Sequence, residues 1–316
     1  MQVIRHRRNA GGSSKRRQHD VYSLAYHNHP GETPGLIPSQ FYTRAFPAGC
    51  CLEAIRAITR CFCREGNDGM TLMKPARITF TGADPSCSVD DLLGLLAEAP
   101  GLELAFLYSE ARQGSGRYPP AGWIREMVAT IEQCIGPGRV ALHVCGRARF
   151  RLLEGDPVDS ELGDLSRFAR IQLNGTLTRE HVEALETIMR EHPERQLIVQ
   201  CEHSADLREA LPPFDSPLQV LFDASGGRGI VRASWPAPLV GHLCGYAGGL
   251  GPDNVARELP RIAAAARGAP YWIDMEGKLR DSQDRFSVQH ARSVLRVLAQ
   301  ADPRLELAEE AMAVGM

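Results

Sequence analysis

Long apolar runs are missing from this sequence of 316 residues. A helix that crosses a bilayer needs about 20 consecutive apolar residues, and no stretch of the chain approaches that length. A surplus of positive charge is also missing, because 36 Lys and Arg stand against 38 Asp and Glu. The sequence therefore predicts neither a membrane partner nor a nucleic-acid partner. It leaves a small molecule as the expected ligand of a monomer or homodimer.

The paired CxxC spacing of most structural zinc sites is missing too, although the chain has nine cysteines. Cys50, Cys51, Cys61 and Cys63 cluster as CC and CxC, and a zinc site built on the last two and the histidines of residues 1–69 is the alternative. The other cysteines stand singly among apolar residues, which is typical of reduced thiols in the cytoplasm. We therefore predict no metal site and a cytoplasmic location.

Residues 1–69 lack a sustained hydrophobic period. They hold 10 Lys and Arg against 5 Asp and Glu, mixed with Gly, Ser, Pro and His. This composition predicts a basic, disordered or irregular N-terminal extension, followed by one folded domain over residues 70–316. One alternative is a tail that contacts nucleic acid or a membrane. Another is a natural start of translation at Met70 or Met73.

From residue 76 onward, short apolar runs alternate with segments of helical period. This alternation predicts a parallel sheet. Eight strand–helix units in about 225 residues are typical of a (β/α)8 TIM barrel, and a doubly wound open sheet is the alternative. The predicted strands cover residues 76–81, 102–108, 139–145, 169–174, 196–201, 218–223, 243–248 and 270–275. The predicted helices cover residues 89–99, 123–135, about 159–168, 179–192, 204–211, about 238–242, 252–266 and 288–300.

Three of the later predicted strands are followed by glycines, and an Asp or Glu lies close to each group of glycines. They are Phe222–Gly229 (FDASGGRG), Tyr246–Val255 (YAGGLGPDNV) and Trp272–Gly277 (WIDMEG). Backbone N–H groups in such loops, together with a helix N-terminus, hold anions well. Phosphate sites after strands 7 and 8 recur in this fold. We therefore predict a phosphorylated small molecule as the ligand, with tight turns as the alternative role of the glycines.

Polar side chains at the carboxyl ends of the strands are the candidates for chemistry, because the functional groups of this fold sit there. Asp223 is a candidate general acid or base, and an ion pair or a helix cap is the alternative. Arg117 is a candidate clamp for a substrate carboxylate, or else a solvated loop residue. Cys145 is a candidate base or nucleophile if its pKa is lowered, or else an inert buried thiol.

The same motifs resemble the phosphoribosylanthranilate isomerase family of tryptophan biosynthesis over about residues 76–300. The similarity lies in Asp223 with its GGRG loop, Ala247–Val255, Asp274–Gly277, Ile171–Gly175, and Ser109 with Arg117–Tyr118. It implies an Amadori-type aldose–ketose rearrangement of an aminated ribose phosphate, without metal or cofactor, in which Asp223 is the general acid. The substrate-binding residues that it implies are Arg117, Gln172, Asn174, Gly227, Gly229, Gly248, Gly249, Glu276 and Gly277.

The chain departs from this family where the chemistry takes place. The cysteine that serves as general base on the family's first strand is replaced by Thr81, whose hydroxyl is too weak an acid to ionise near neutral pH. The family's fourth-strand histidine is Asn174 here, and its paired serines after the eighth strand are Met275 and Glu276. The candidates for the missing base are Cys145, Asp84 and Glu276.

Three functions remain open at this point. The main expectation is a phosphoribosylanthranilate isomerase-like sugar-phosphate isomerase, with Asp223, Thr81 and Cys145 as its candidate catalytic residues. The second is a barrel enzyme that acts on a different phosphorylated sugar or nucleotide. The third is a non-catalytic protein that binds a phosphorylated ligand.

Overall fold

The computed structural model describes residues 2–6, 21–25, 74–155, 159–175, 179–193, 195–201, 218–223 and 232–301. The chain divides into two compact units, Met1–Met70 and Thr71–Met316. In the first unit, strands β1 (Gln2–His6) and β2 (Val21–Ala25) pair antiparallel. The remainder of the predicted N-terminal extension, with its four clustered cysteines, lies outside the described residues.

The second unit is a closed barrel of eight parallel strands, which confirms the TIM-barrel prediction. Each strand pairs with the next along the chain, and the last closes on the first. This closure excludes the open sheet. The barrel strands are β3 (Arg77–Thr81), β4 (Leu102–Tyr108), β5 (Val140–Val144), β6 (Arg170–Leu173), β7 (Gln196–Cys201), β8 (Gln219–Asp223), β9 (Cys244–Ala247) and β10 (Tyr271–Met275).

Helices connect the strands and cover the outside of the barrel. Those described are α1 (Val89–Glu98), α2 (Ala121–Cys134), α3 (Arg147–Leu153), α4 (Asp159–Leu162), α5 (Arg179–Glu191), α6 (Val255–Ala266) and α7 (Val288–Ala301). Short 3₁₀ turns span Glu110–Arg112, Leu165–Arg167 and Gly277–Leu279. Within the residues that the structure describes, no helix is long and apolar enough to cross a membrane.

Helix α3 was not predicted, because its RARFRLL sequence is too short and too basic to show an apolar stripe. The short helix expected near residues 238–242 is a turn, in a segment with Pro236 and Pro238 that lacks helical backbone. The helix predicted over residues 204–211 lies outside the described residues.

The strands are buried on both faces, which explains their continuous apolar sequences. One face packs against the helices, and the alternate residues point into the barrel. Every residue of β4, for example, is buried. Inside the barrel, Ile198, Leu221, Ala247 and Trp272 form a small apolar cluster. Gly245 makes room for this cluster, because a Cβ atom there would overlap the indole of Trp272.

A buried ion pair lies inside the barrel near the amino ends of the strands. Arg170 donates from Nη2 to Oε1 of Glu103 at 2.6 Å, and both side chains are almost fully buried. The same guanidinium donates to Thr79 and Gln219, each at 2.9 Å, and lies 4.6 Å from the ring centroid of Trp272. The polar groups at this end therefore satisfy one another, whereas those at the carboxyl ends face an open cavity.

Candidate active site

A cavity of about 660 Å³ opens at the carboxyl ends of the strands, where the fold places its functional groups. It brings together most of the predicted site residues. Those that line it are Arg117, Cys145, Gln172, Asn174, Asp223, Gly248, Gly249, Glu276 and Gly277. Thr81 does not line the cavity but lies directly behind it, and Gly227 and Gly229 lie outside the described residues.

Asp223, the last residue of β8, accepts a hydrogen bond from a glutamine on the neighbouring strand. Gln200 Nε2 donates to Asp223 Oδ2 at 2.8 Å. The carbonyl oxygen of the same side chain accepts the backbone N–H of Gly175 at 2.8 Å. All three residues line the cavity. Gln200 therefore joins the loop after β6 to the carboxylate at the end of β8.

Asp274 on β10 is a second carboxyl group at the same mouth. Its side chain is buried, and Thr81 donates its hydroxyl to Oδ1 at 2.6 Å. Burial raises the pKa of Asp274 to about 8, with further contributions from the charges of Glu276 and Asp223, although the hydrogen bond from Thr81 opposes the shift. Asp274 is therefore mostly protonated at neutral pH. Thr81 is placed to hold this carboxyl group, a role that does not require the hydroxyl to ionise.

The register of the barrel places the two aspartates on opposite sides of β9. Asp223 pairs with Ala247, and continuing the pairing of Ile273 with Tyr246 brings Asp274 to the same level. Two strand spacings of about 4.8 Å separate their backbones by roughly 10 Å. Because Ala247 is small, the space between the two carboxyl groups stays open.

A third carboxylate, Glu276, follows β10 and is held by an arginine. Arg117 donates from Nη1 to Glu276 at 2.5 Å and from Nη2 to Asp284 at 2.7 Å. Burial raises the pKa of Glu276, and so does the charge of Asp223, whereas the contact with Arg117 lowers it. The predicted clamp Arg117 is thus paired with protein carboxylates that an anionic ligand group would have to replace.

Two of the candidates for the missing base have settings that disfavour this role. Burial raises the pKa of Cys145 to about 12, so the thiol is neutral near pH 7. Asp84 does not line the cavity and is paired with the buried Arg280 at 2.6 Å. Burial tends to raise the pKa of Asp84, but hydrogen bonds from Ser86, Phe286 and Arg280 lower it overall. Asp84 therefore acts as a structural anion.

Uncharged polar side chains form the opposite wall of the cavity. Gln172 Nε2 donates to Asn174 Oδ1 at 2.7 Å, and Asn174 Nδ2 contacts Cys145 Sγ at 3.2 Å. Burial lowers the pKa of His143 to about 3, so its imidazole is neutral. Gln172 is buried, and its Oε1 has no hydrogen-bond partner within the described part of the chain. This oxygen is available to a donor group on a ligand.

The loop after β9 has the backbone conformation that its glycines predict. Gly248 and Gly249 have φ values of 111° and 64°, which favour glycine. Asn254, just before α6, accepts the N–H of Gly251 at 2.9 Å and donates to the carbonyl of Gly249 at 2.8 Å. The side chain of Asn254 therefore fixes a glycine loop between the cavity and the N-terminus of a 12-residue helix.

No protein-family model matches this sequence, and no curated protein does either. Among solved structures, the chain is similar to phosphoribosyl anthranilate isomerase from Thermus thermophilus, with 17% identity, a TM-score of 0.48, and coverage of 71% of this chain and 98% of that chain. It is also similar to TrpF from Jonesia denitrificans, with 17% identity, a TM-score of 0.49, and coverage of 72% and 99%.

A third similar structure is the thiamine phosphate pyrophosphorylase from Pyrococcus furiosus, with 9% identity and a TM-score of 0.40. It covers 72% of this chain and 96% of that chain. Values at this level assign neither a family nor a reaction. The chemistry has to be inferred from the geometry of the cavity itself.

Two residues of the site were absent from the predicted set. Asp274 belongs to the WIDMEG motif, but its sequence does not reveal that it is buried. Gln200 is not part of any motif in the sequence analysis, and its neighbour Cys201 packs in the outer core. The two-residue period of β7 was the available signal, because Ile198 lies inside the barrel and Gln200 therefore lies on the same face.

Proposed function

We propose that the chain is a sugar-phosphate isomerase of the phosphoribosylanthranilate isomerase type, which moves protons between two carboxyl groups. The observation that carries the proposal is the placement of Asp223 and Asp274 in one cavity, on either side of the small residue Ala247. An aldose–ketose rearrangement needs one group that gives a proton and one that takes a proton. Since every step is a proton transfer, the reaction as written requires no redox cofactor.

We assign the two roles from the protonation state of Asp274. With a pKa of about 8, it carries a proton at neutral pH and is suited to donate it to the ring oxygen of an aminated aldose phosphate. Ring opening leaves an iminium group next to C2. Asp223 then takes the C2 proton, and the electron pair of the C–H bond forms the enolamine. The family resemblance implies the opposite role for Asp223, and the pH profile distinguishes the two assignments.

The phosphate is proposed to bind at the loop after β9. Gly248 and Gly249 line the cavity, and their backbone conformation lets the chain approach a ligand closely. The N-terminus of α6 adds a positive dipole. Gly277, which begins the 3₁₀ turn after β10, lines the same cavity. Gly227 and Gly229 remain predicted members of the same site.

A test of this function measures the exchange of the C2 hydrogen with solvent. The substrate, an N-aryl ribosylamine phosphate, is incubated in D2O and followed by NMR. We expect Asp223→Asn and Asp274→Asn each to slow exchange by about 100-fold or more, because each removes one proton-transfer group. The control is Asp90→Asn, an exposed change on α1. Exchange at the wild-type rate in either site variant contradicts the proposal.

A second test is rescue of a tryptophan auxotroph that lacks the isomerase. The wild-type gene should restore growth, and the Asp223→Asn gene should not. Absence of rescue by well-expressed wild-type protein would exclude this particular substrate. It would leave the proton-transfer chemistry to be tested on other phosphorylated aldoses.

The polar wall of the cavity favours a second candidate, an isomerase that acts on a phosphorylated sugar without an aromatic group. Gln172, Asn174 and His143 offer hydrogen bonds rather than an apolar slot for an aryl ring. The unpartnered Oε1 of Gln172 matches a sugar hydroxyl. The same exchange assay, applied to a panel of aldose phosphates, tests this candidate. A pure binding protein would return every compound without deuterium.

A further inference from the structure

Gln200 makes a pair of hydrogen bonds whose direction can be assigned. Its Oε1 lies 2.8 Å from the backbone nitrogen of Gly175, which can only donate. The oxygen of the amide must therefore face Gly175, and the NH2 group must face Asp223, 2.8 Å away. The neighbouring strand thus presents a fixed donor to the Asp223 carboxylate.

The groups around Asp223 make such a donor important. From β10 and the residues after it, Asp274 faces the same cavity with its proton bound, and Glu276 faces it as a carboxylate that interacts with Asp223 as a like charge. The cations Arg112 and Arg117 line the same cavity, and Arg117 is engaged by Glu276. His143 faces the same cavity from β5 as a neutral ring, and β9 contributes only the uncharged Ala247 and Gly248. The amide of Gln200 is therefore a fixed donor to Asp223 in a cavity that also holds the carboxylate of Glu276.

We propose that Gln200 is a positioning residue that holds the Asp223 carboxylate in one orientation, turned toward the cavity, so that it can accept a proton. This inference rests on the proposed function for its catalytic meaning. The hydrogen bond from Gln200 stabilises the carboxylate but not the acid form, so that its loss favours protonation. The anchor on Gly175 fixes the amide in one orientation, and it also ties the donor to the backbone of the loop after β6.

The test is the Gln200→Glu variant, which keeps the size of the side chain. One glutamate oxygen can still accept the N–H of Gly175, but the other replaces the donor with an acceptor. We expect the NMR titration midpoint of the Asp223 carboxyl carbon to rise by about one pH unit or more relative to the wild type. The acid limb of the pH profile of C2 exchange should move in the same direction.

Gln113 provides a matched control in the same chain. Its Oε1 also accepts a backbone N–H, from Ala121 at 3.0 Å, and its Nε2 also donates to a carboxylate, Glu161, at 2.6 Å. Gln113 does not line the cavity. Gln113→Glu should therefore leave the titration of Asp223 and the acid limb unchanged, although it alters an equivalent glutamine bridge.

If Gln200→Glu does not fold, Gln200→Met takes its place, because it removes the donor and adds no charge. It should move the midpoint upward by a smaller amount. An unchanged midpoint in the folded variant overturns the proposal. If the midpoint rises while the wild type exchanges no phosphorylated aldose, the proposed function fails but the effect of Gln200 on Asp223 stands. The two failures are therefore distinguishable.

Discussion

Asp274 combines burial with acidic neighbours, and its partner Thr81 determines how it is held. The hydroxyl of Thr81 donates to Oδ1 at 2.6 Å, while Glu276 and Asp223 both disfavour its ionised form. A carboxyl group in this setting keeps its proton at neutral pH and remains ordered. The threonine therefore supports a neighbouring acid, a role that does not require its hydroxyl to ionise.

The raised pKa of Asp274 predicts a dependence of stability on pH. Between about pH 4 and the folded pKa of about 8, the folded protein binds the proton that the unfolded chain loses. Stability is therefore lost as the pH rises through this window, by up to about 1.4 kcal/mol per pH unit. The Asp274→Asn variant should not show this loss of stability with rising pH, because asparagine has no carboxyl group to ionise.

The measurement is urea unfolding of the wild type and Asp274→Asn at pH 5 and pH 8. The free energy of unfolding of the variant should increase relative to that of the wild type as the pH rises from 5 to 8. A constant difference across the range would mean that Asp274 is already ionised at pH 5 in the folded protein. The alkaline limb of activity should also fall near pH 8, because Asp274 then loses the proton it donates.

At the scale of elements, the loop after β10 is attached to the loop after β3. Arg280 donates to the carbonyl of Gly82 at 2.7 Å and to Asp84 at 2.6 Å, and the guanidinium is almost fully buried. Asp84 also accepts the backbone N–H of Phe286 at 3.1 Å. These contacts set the position of the segment that carries Glu276, and through Arg117 they reach the loop after β4.

This arrangement predicts that Asp84→Asn reduces stability rather than proton transfer. Removing this buried partner leaves Arg280 with the exposed carboxylate of Asp284, and breaking such a buried pair costs up to about 3–5 kcal/mol. Chemical denaturation measures the loss, and hydrogen exchange should show weaker protection over residues 277–287. The control is Asp281→Asn in the same loop, which removes a half-buried charge paired with Arg285, while the amide oxygen can still accept the backbone N–H groups of Gln283 and Arg285. A large loss of C2 exchange at unchanged stability would place Asp84 in the reaction after all.

At the scale of the whole molecule, the barrel is complete within the second unit. All eight parallel strands lie between Arg77 and Met275, and the first unit contributes none of them. The two units are compact by themselves. The hydrophobic core that supports the cavity is likewise built from residues 78–298.

We therefore predict that residues 70–316 fold without the N-terminal segment. Since no barrel strand is removed, a chain that starts at Met70 should keep its helical circular dichroism and a melting temperature within a few degrees of the full chain. Its C2 exchange rate should also be retained. Aggregation of this shorter chain would show that residues 1–69 cover or complete the barrel.

The fold was predictable because the sequence patterns that indicate it are local. The alternation of apolar strands with helices and the glycines after β9 and β10 are visible within short windows of sequence. The missed helix Arg147–Leu153 and the turn near Val240 are the places where such windows carry a weak pattern. In these segments, contacts with the rest of the barrel decide the backbone conformation.

The sequence by itself determined the barrel, its glycine loops and the polar residues at the mouth, since each follows from composition and period along the chain. Only the tertiary structure decided which of these residues form a chemical unit. Asp223, Gln200 and Asp274 come from three different strands, and closure of the barrel brings them to one cavity. The pKa of Asp274 depends on burial and on charges from distant parts of the chain. No local pattern contains that information, because it arises only when the strands have closed.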